Sequence, residues 1–184
     1  MRRENTFYTK YSLTGGNADC TFNYERNSDL VLSGDWDADG KDTLAVRRGS
    51  TYYIKNTLAS GIADSSFIYG HAEDRTFAGD WNGDGHDALA VLRGNVFYFK
   101  NSLTGGIADT VITYGCDDDQ VYVGDWDGDG KDSLAVRRGS TFYVKKIPLL
   151  VVLLTRYSVM AKRVILFSLV IGMATAKDTF MVRR

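Results

Sequence analysis

GDWDGDGKDSLAVRRG, residues Gly124–Gly139, is the stretch from which the fold can be read. An acidic loop punctuated by glycine runs directly into a short apolar segment, which a further glycine closes. The same stretch starts at Gly34 as GDWDADGKDTLAVRRG and at Gly79 as GDWNGDGHDALAVLRG, 45 residues apart each time. The register holds outward from it. Tyr8, Tyr53, Tyr98 and Tyr143 keep the spacing, as do Lys10, Lys55, Lys100 and Lys145, and Ala18, Ala63 and Ala108. Arg47-Arg48 and Arg137-Arg138 match, with Leu92-Arg93 between them. A gapless period of this length marks tandem structural units. Counted from Met1, the copies are 1–45, 46–90 and 91–135, with a fourth opening over 136–145.

Each unit reads as short strands between turns. Thr51–Lys55 is aromatic and β-branched, and a Gly-rich turn follows it. Ser66–Tyr69 and Arg75–Ala78 are two further runs, the second leading into the acidic loop. Ala88–Leu92 follows that loop. Four strands in about 45 residues is the arithmetic of a propeller blade. An all-β fold is therefore expected, a partial β-propeller of 45-residue blades, with a β-solenoid or an open stack of hairpins as the alternative arrangement. No sustained 3.6-residue period argues for a helix. Composition agrees: among 184 residues glycine occurs 19 times, proline once, and aromatics reach 12%, which suits strands and tight turns. The net charge of −1 gives no basis for nucleic-acid binding. Cys20 and Cys116 form no metal-type pair, and a disulfide between them has no counterpart in the other copies.

The loops carry the chemistry. Hard cations such as calcium take six to eight oxygen ligands, and carboxylates at positions 1, 3 and 5 of a tight loop converge on one centre. The side-chain ligands would be Asp35, Asp37 and Asp39; Asp80, Asn82 and Asp84; and Asp125, Asp127 and Asp129. Glycine at position 6 permits the sharp turn. The position-7 backbone of Lys41, His86 and Lys131 would add one oxygen each. An EF-hand is excluded, because position 12 holds Val46, Val91 and Val136 instead of a bidentate Glu. The opposing reading is that these carboxylates only cap turns through backbone N–H groups.

GDWDGDGKDSLAVRRG resembles the FG-GAP/VCBS-type repeats of bacterial surface proteins and integrin-like propellers. It is most similar to arrays at the C-terminal ends of secreted actinobacterial cell-wall hydrolases such as muramidases and amidases. The resemblance covers residues 1–145 and implies a calcium ion held between strands of each blade. One departure stands out. The family loop has an acidic ligand at position 9, where this chain has Thr43, Ala88 and Ser133. Asp42, Asp87 and Asp132 at position 8 are the replacement ligands to consider; without them the sites would be weak, with dissociation constants on the order of 10⁻⁴–10⁻³ M.

Trp36, Trp81 and Trp126 invite core packing first and sugar stacking second. In Tyr52-Tyr53, Phe97-Tyr98 and Phe142-Tyr143 strand alternation places one ring inside and one outside. The Arg-Arg pairs suit a solvated strand edge or an anionic wall polymer. His71 and His86 align with Cys116 and Lys131 in the next copy, so neither is assigned as a catalytic base. No nucleophile motif, phosphate loop or dinucleotide fingerprint is present.

Met1 aligns with Val46, which suggests that the chain begins inside a longer array; its start has no apolar signal-peptide core. Residues 147–176 break the repeat, and 177–184 resume it. Arg156, Lys162 and Arg163 cut the apolar stretch into pieces shorter than the roughly 20 residues of a membrane span. Reading Pro148 to Lys177 in the shifted frame, with free wobble bases, spells PTGGVADAILSYGKAGDTLFVGDWDGDGK, and Met160 and Met173 each force the required glycine. Residues 146–176 are therefore read as a frame-shifted remnant of the fourth unit.

The expectation is a noncatalytic calcium-binding repeat module of a secreted or cell-surface bacterial protein. It would bind cell-wall glycan or act as a spacer, alongside the remainder of a longer parent chain. The alternatives are the targeting end of a cell-wall hydrolase, a muramidase or amidase whose catalytic domain lies elsewhere, and an adhesin that binds protein.

Overall fold

The structure is a computed structural model that describes residues 2–24 and 26–145. The expected frame-shifted remnant, 146–176, and the resumed repeat, 177–184, lie outside the described residues. Those described form an all-β fold of fourteen strands in four antiparallel sheets.

The first sheet holds β1 (Arg2–Arg3), β2 (Thr6–Thr9) and β3 (Cys20–Asn23). The second is a complete meander of β4 (Leu30–Gly34), β5 (Thr43–Arg48), β6 (Thr51–Lys55) and β7 (Ser65–Ile68). The third repeats it with β8 (Arg75–Gly79), β9 (Ala88–Arg93), β10 (Val96–Phe99) and β11 (Thr110–Thr113). The fourth comprises β12 (Gln120–Gly124), β13 (Ser133–Arg138) and β14 (Thr141–Lys145). The four runs read from one unit of sequence are β6 to β9, so they belong to two sheets. Each complete sheet begins with the strand before the acidic loop. The hydrogen bonds thus cut the repeat at a different phase from copies counted from Met1; a periodic sequence has no inherent starting point.

The second and third strands of each unit are joined by two residues, Gly49-Ser50, Gly94-Asn95 and Gly139-Ser140, with the glycine at φ 59°, 58° and 60°. Only the first turn residue has positive φ, the two-residue hairpin geometry for which glycine is preferred. In the first sheet that position is Glu4, at φ 56°.

Three cores form between successive sheets. Phe7, Phe22 and Tyr24 of the first sheet and the segment after it pack on Val46 of the second. Trp36, Ala45, Tyr52, Ile54 and Tyr69 pack on Leu89 and Val91 of the third. Trp81, Ala88, Ala90, Leu92, Phe97 and Phe99 pack on Leu134 of the fourth. Strand β9 serves two cores because side chains alternate: Leu89 and Val91 face back, Ala88, Ala90 and Leu92 face forward. That is why the central strand of each unit is apolar throughout. Each fully buried Leu, Val or Phe contributes about 1.5–3 kcal/mol, so these junctions carry the fold. Strand β8 lies against both β4 and β12, so the first strands of successive sheets run side by side.

Polar contacts recur at each junction. Arg47 is buried and donates to the carbonyls of His71, Ala72 and Asp74 and to Thr76 Oγ1 in the next unit. Arg2 does the same for the carbonyls of Arg26 and Asp29. In the middle copy Leu92 takes the arginine's place, and Arg75 of β8 reaches the carbonyl of Asp119 at 3.3 Å. The second arginine has another task. Arg48, Arg93 and Arg138 each grip a buried aspartate of their own sheet, Asp29, Asp74 and Asp119, through two nitrogens. Each also lies over a tyrosine ring, Tyr53, Tyr98 or Tyr143. In Arg47-Arg48 one arginine staples the next sheet and the other completes an internal ion pair, so that pair is not a solvated strand edge; in Arg137-Arg138 both side chains are exposed, and Arg137 bonds within its own sheet. Cys20 and Cys116 are both free thiols.

Candidate metal centres in the acidic loops

Each acidic loop links the first two strands of a sheet, β4 to β5, β8 to β9 and β12 to β13. The glycines at position 6, Gly40, Gly85 and Gly130, take φ of 81°, 88° and 80°, as the turn requires. Position 4 is also left-handed. Gly83 and Gly128 sit there at 77° and 72°, and Ala38 at 57° in the first loop.

In the first loop Asp35, Asp37 and Asp39 bring carboxylate oxygens within 4.8 Å of one another, and Asp125, Asp127 and Asp129 do the same in the third. In the second loop Asn82 takes the central place, and its amide nitrogen donates to Asp84 Oδ2 at 2.8 Å. The loop is organised by its position-1 carboxylate. Asp80 Oδ1 accepts from the backbone of Gly83 at 2.7 Å, and its Oδ2 from Gly85 at 2.9 Å. Asp35 and Asp125 accept from Gly40 and Gly130 in the same way. Position 5 accepts the position-7 N–H: Asp39 from Lys41, Asp84 from His86 and Asp129 from Lys131. These bonds hold Asp39 and Asp84 below the usual carboxylate pKa. The Lys41 ammonium contributes most for Asp39, and the His86 backbone N–H for Asp84. Both are therefore anions at neutral pH.

Turn capping and metal ligation are compatible here. A carboxylate offers about four lone-pair sites, and the N–H bonds use only some of them. Two loops of three convergent aspartates form an all-oxygen, strongly anionic donor set, which fits a hard divalent cation. The loop with Asn82 offers one charge fewer. Lys41, His86 and Lys131 lie in the loops at position 7, where each backbone N–H donates to the position-5 carboxylate and the Lys41 ammonium also reaches Asp39 Oδ2 at 3.0 Å.

Position 8 does not join its own loop. The Asp87 carboxylate accepts from the backbone N–H of Asp35 at 2.9 Å, and Asp87 N–H donates to the Asp35 carbonyl at 2.7 Å. Asp132 makes the same two bonds to Asp80, at 2.9 and 2.7 Å. The three-aspartate clusters comprise positions 1, 3 and 5, without Asp42 or Asp132. At Asp87 and Asp132 position 8 is thus an inter-sheet clasp on the preceding loop. The reason is directional. Successive strand residues alternate sides, and position 8 leads into the central strand facing back toward the previous sheet. Burial pushes the Asp87 carboxyl up to about 6, with Asp132, Asp42 and Asp80 adding repulsion, and burial raises Asp132 as well.

The clasp explains the glycine that opens the first two GDW stretches. A Cβ on Gly34 would lie 2.7 Å from Asp87 Oδ2, and one on Gly79 would lie 2.7 Å from Asp132 Oδ2. Periodicity exposed that glycine, but nothing local to it gave the reason, which lies in the next unit.

Trp36 and Trp81 are buried in the inter-sheet cores, so neither offers a sugar an exposed face. Tyr52 and Phe97 are buried while Tyr53 and Tyr98 are half-exposed, as alternation predicts; Phe142 and Tyr143 are both exposed. One repeated residue escaped the sequence reading. Asp19, Asp64 and Asp109 each cap a loop by accepting the backbone N–H eight residues earlier, at Tyr11, Asn56 and Asn101. Their alignment with the Ala18, Ala63 and Ala108 series was the available signal.

Among the described residues no helix is long and apolar enough to cross a membrane. Comparison with protein-family models, curated proteins and solved structures finds no match.

Proposed function

We propose that this chain is a noncatalytic, calcium-binding repeat module of the FG-GAP/VCBS type, part of a β-propeller in a secreted or cell-surface bacterial protein. It serves the cell wall as a glycan-binding or spacer segment. The observation that carries the reading is the convergence of Asp35, Asp37 and Asp39, and of Asp125, Asp127 and Asp129, within 4.8 Å. Consecutive meander sheets with their first strands side by side support the propeller arrangement. Calcium would cross-link strand-connecting loops that otherwise hold several like charges close together, and so stabilise the array.

Calorimetric titration with calcium tests the reading. Dissociation constants on the order of 10⁻⁴–10⁻³ M are expected, with a rise in melting temperature. Asp37→Ala with Asp127→Ala, which removes the central ligand of the first and third loops, should remove their share of the heat and leave that of the second. No heat and an unchanged melting temperature at roughly 10 mM calcium, well above the weakest expected constant, would overturn it. Retention on purified peptidoglycan tests the wall-binding part separately.

A further inference from the structure

We propose that Asn82-Gly83 is a site of spontaneous deamidation promoted by the second acidic loop itself, which converts Asn82 to aspartate or isoaspartate. The inference stands apart from calcium binding, because it rests on the covalent chemistry of one side chain and not on an ion.

Asn82-Gly83 is the only Asn-Gly pair in the sequence. The reaction open to it is intramolecular. The Gly83 backbone nitrogen attacks the Asn82 amide carbon, a C–N bond forms, and ammonia leaves behind a cyclic imide. Water then opens the imide at either carbonyl. One product is aspartate. The other is isoaspartate, whose main chain runs through the side chain and is longer by a methylene. Nothing is oxidised or reduced, and water is the only co-reactant. Glycine hinders the attack least, since it has no Cβ.

Such an attack needs a base for the proton on nitrogen and a donor for the carbonyl oxygen that gathers charge. The loop supplies both. Asp80 Oδ1 accepts from the Gly83 N–H at 2.7 Å, so a carboxylate already sits on the proton that must leave. The Asp84 backbone N–H, shared with Asp80 Oδ1, donates to Asn82 Oδ1 at 3.2 Å, the oxygen on which charge develops. The departing amide nitrogen is held by Asp84 Oδ2 at 2.8 Å. Asp80 takes the Gly83 proton as the C–N bond forms, and that proton passes to the departing nitrogen, which leaves as ammonia. The two bonds to the Asn82 amide also fix its side chain before the reaction, which removes rotamer freedom in advance. Asn82 is half-buried and Gly83 exposed, so water has access to the imide.

The neighbouring loops give the change its meaning. In the third, Asp125 Oδ1 accepts from the Gly128 N–H at 2.9 Å in the same way, but Asp127 stands where Asn82 does. In the first, Asp37 precedes Ala38, and Asp35 accepts from Asp39 and Gly40. Conversion of Asn82 to aspartate therefore gives the second loop the three carboxylates that the first and third already carry. Isoaspartate instead lengthens the loop backbone at that point.

Ageing of the full chain at neutral pH, followed by proteolysis, liquid chromatography and mass spectrometry, reads the conversion directly. The peptide that contains Asn82 should gain the mass of an amide-to-acid change and resolve into aspartate and isoaspartate forms. Its rate in the folded chain should exceed that at Asn101-Ser102, and that at Asn82 in chain unfolded by guanidinium chloride, by about tenfold or more. Asp80→Asn should slow it by a similar factor. Asp127→Asn should install a second site, because Gly128 is bonded to Asp125 as Gly83 is to Asp80. Asp37→Asn, which precedes Ala38, should not convert on that time scale. The transplanted site keeps the test decisive if Asp80→Asn fails to fold. An Asn82 that survives ageing of the folded chain, or converts no faster there than in the unfolded chain, overturns the proposal. So does an Asp127→Asn chain in which only Asn82 converts.

Discussion

The junction between the second and third sheets and the outward face of the fourth are made from residues 90 positions apart in one repeat, yet their surroundings are opposite. At the junction Tyr52 is fully buried and Ile54 1% exposed; on the fourth sheet Phe142 is 39% and Val144 58% exposed. The amino acids are of the same kind, and the strands pair in the same register, Val46 with Tyr53 and Val136 with Tyr143. Only the neighbour differs. In a stacked array a side chain's energetic worth is therefore set by the sheet beyond it, and stability resides between units more than within them.

The comparison can be broken at the cores first. Phe99→Ala, deep in the junction between the third and fourth sheets, should cost about 3–5 kcal/mol, whereas Val144→Ala should stay within about 0.5–1 kcal/mol. Urea unfolding of both variants is the check, and equal losses would contradict the contrast. The clasp comes next. Gly79→Ala places a Cβ 2.7 Å from Asp132 Oδ2 and 2.9 Å from Val123 Cγ1, and should cost about 1–3 kcal/mol. Gly124→Ala places its Cβ nearest to the Trp126 ring, at 3.1 Å, and should cost less.

A contact internal to a sheet should not obey the contrast, which makes Asp74 a sharpening control. Its carboxyl is held below the usual range, chiefly by the Arg93 guanidinium. Its ionised form is thus favoured by folding. The stabilisation is present above the unfolded value, near 3.8, and is lost as pH falls through the lower folded value. Asp74→Asn should cost about 1–2 kcal/mol at neutral pH, moderated because Arg93 is 44% exposed. Melting curves of mutant and parent should converge below about pH 3.8. Asp119→Asn in the fourth sheet should behave in the same direction. The smallest effect is expected at the first hairpin: Glu4→Gly relieves a left-handed non-glycine residue and should raise stability by up to roughly 1 kcal/mol, read from thermal melts.

Much of this fold was legible from residues 34–139. Strands β6 to β9 fall within a residue of the runs read from them, because turn glycines and β-branched runs are local signals. The sheet boundaries were not legible, since hydrogen bonding between distant strands selects the phase of a repeat. The clusters at positions 1, 3 and 5 were legible for a similar local reason: a tight loop converges its own side chains. The destination of Asp87 was not, because it lies 52 residues back in sequence. Likewise, the exchange of Arg47 for Leu92 reads as simple loss until Arg75 is seen reaching Asp119.

The sequence by itself thus determined the all-β class, the 45-residue unit, its hairpins and its acidic loops, all of which depend on contacts within a few residues. The tertiary structure alone decided which strands share a sheet, that Asp87 and Asp132 clasp the preceding loop, that Arg47 crosses to the next unit, and that among the described residues nothing packs on the outward face of the fourth sheet. Those outcomes depend on which surfaces meet, and a period in sequence specifies the surfaces without specifying their partners.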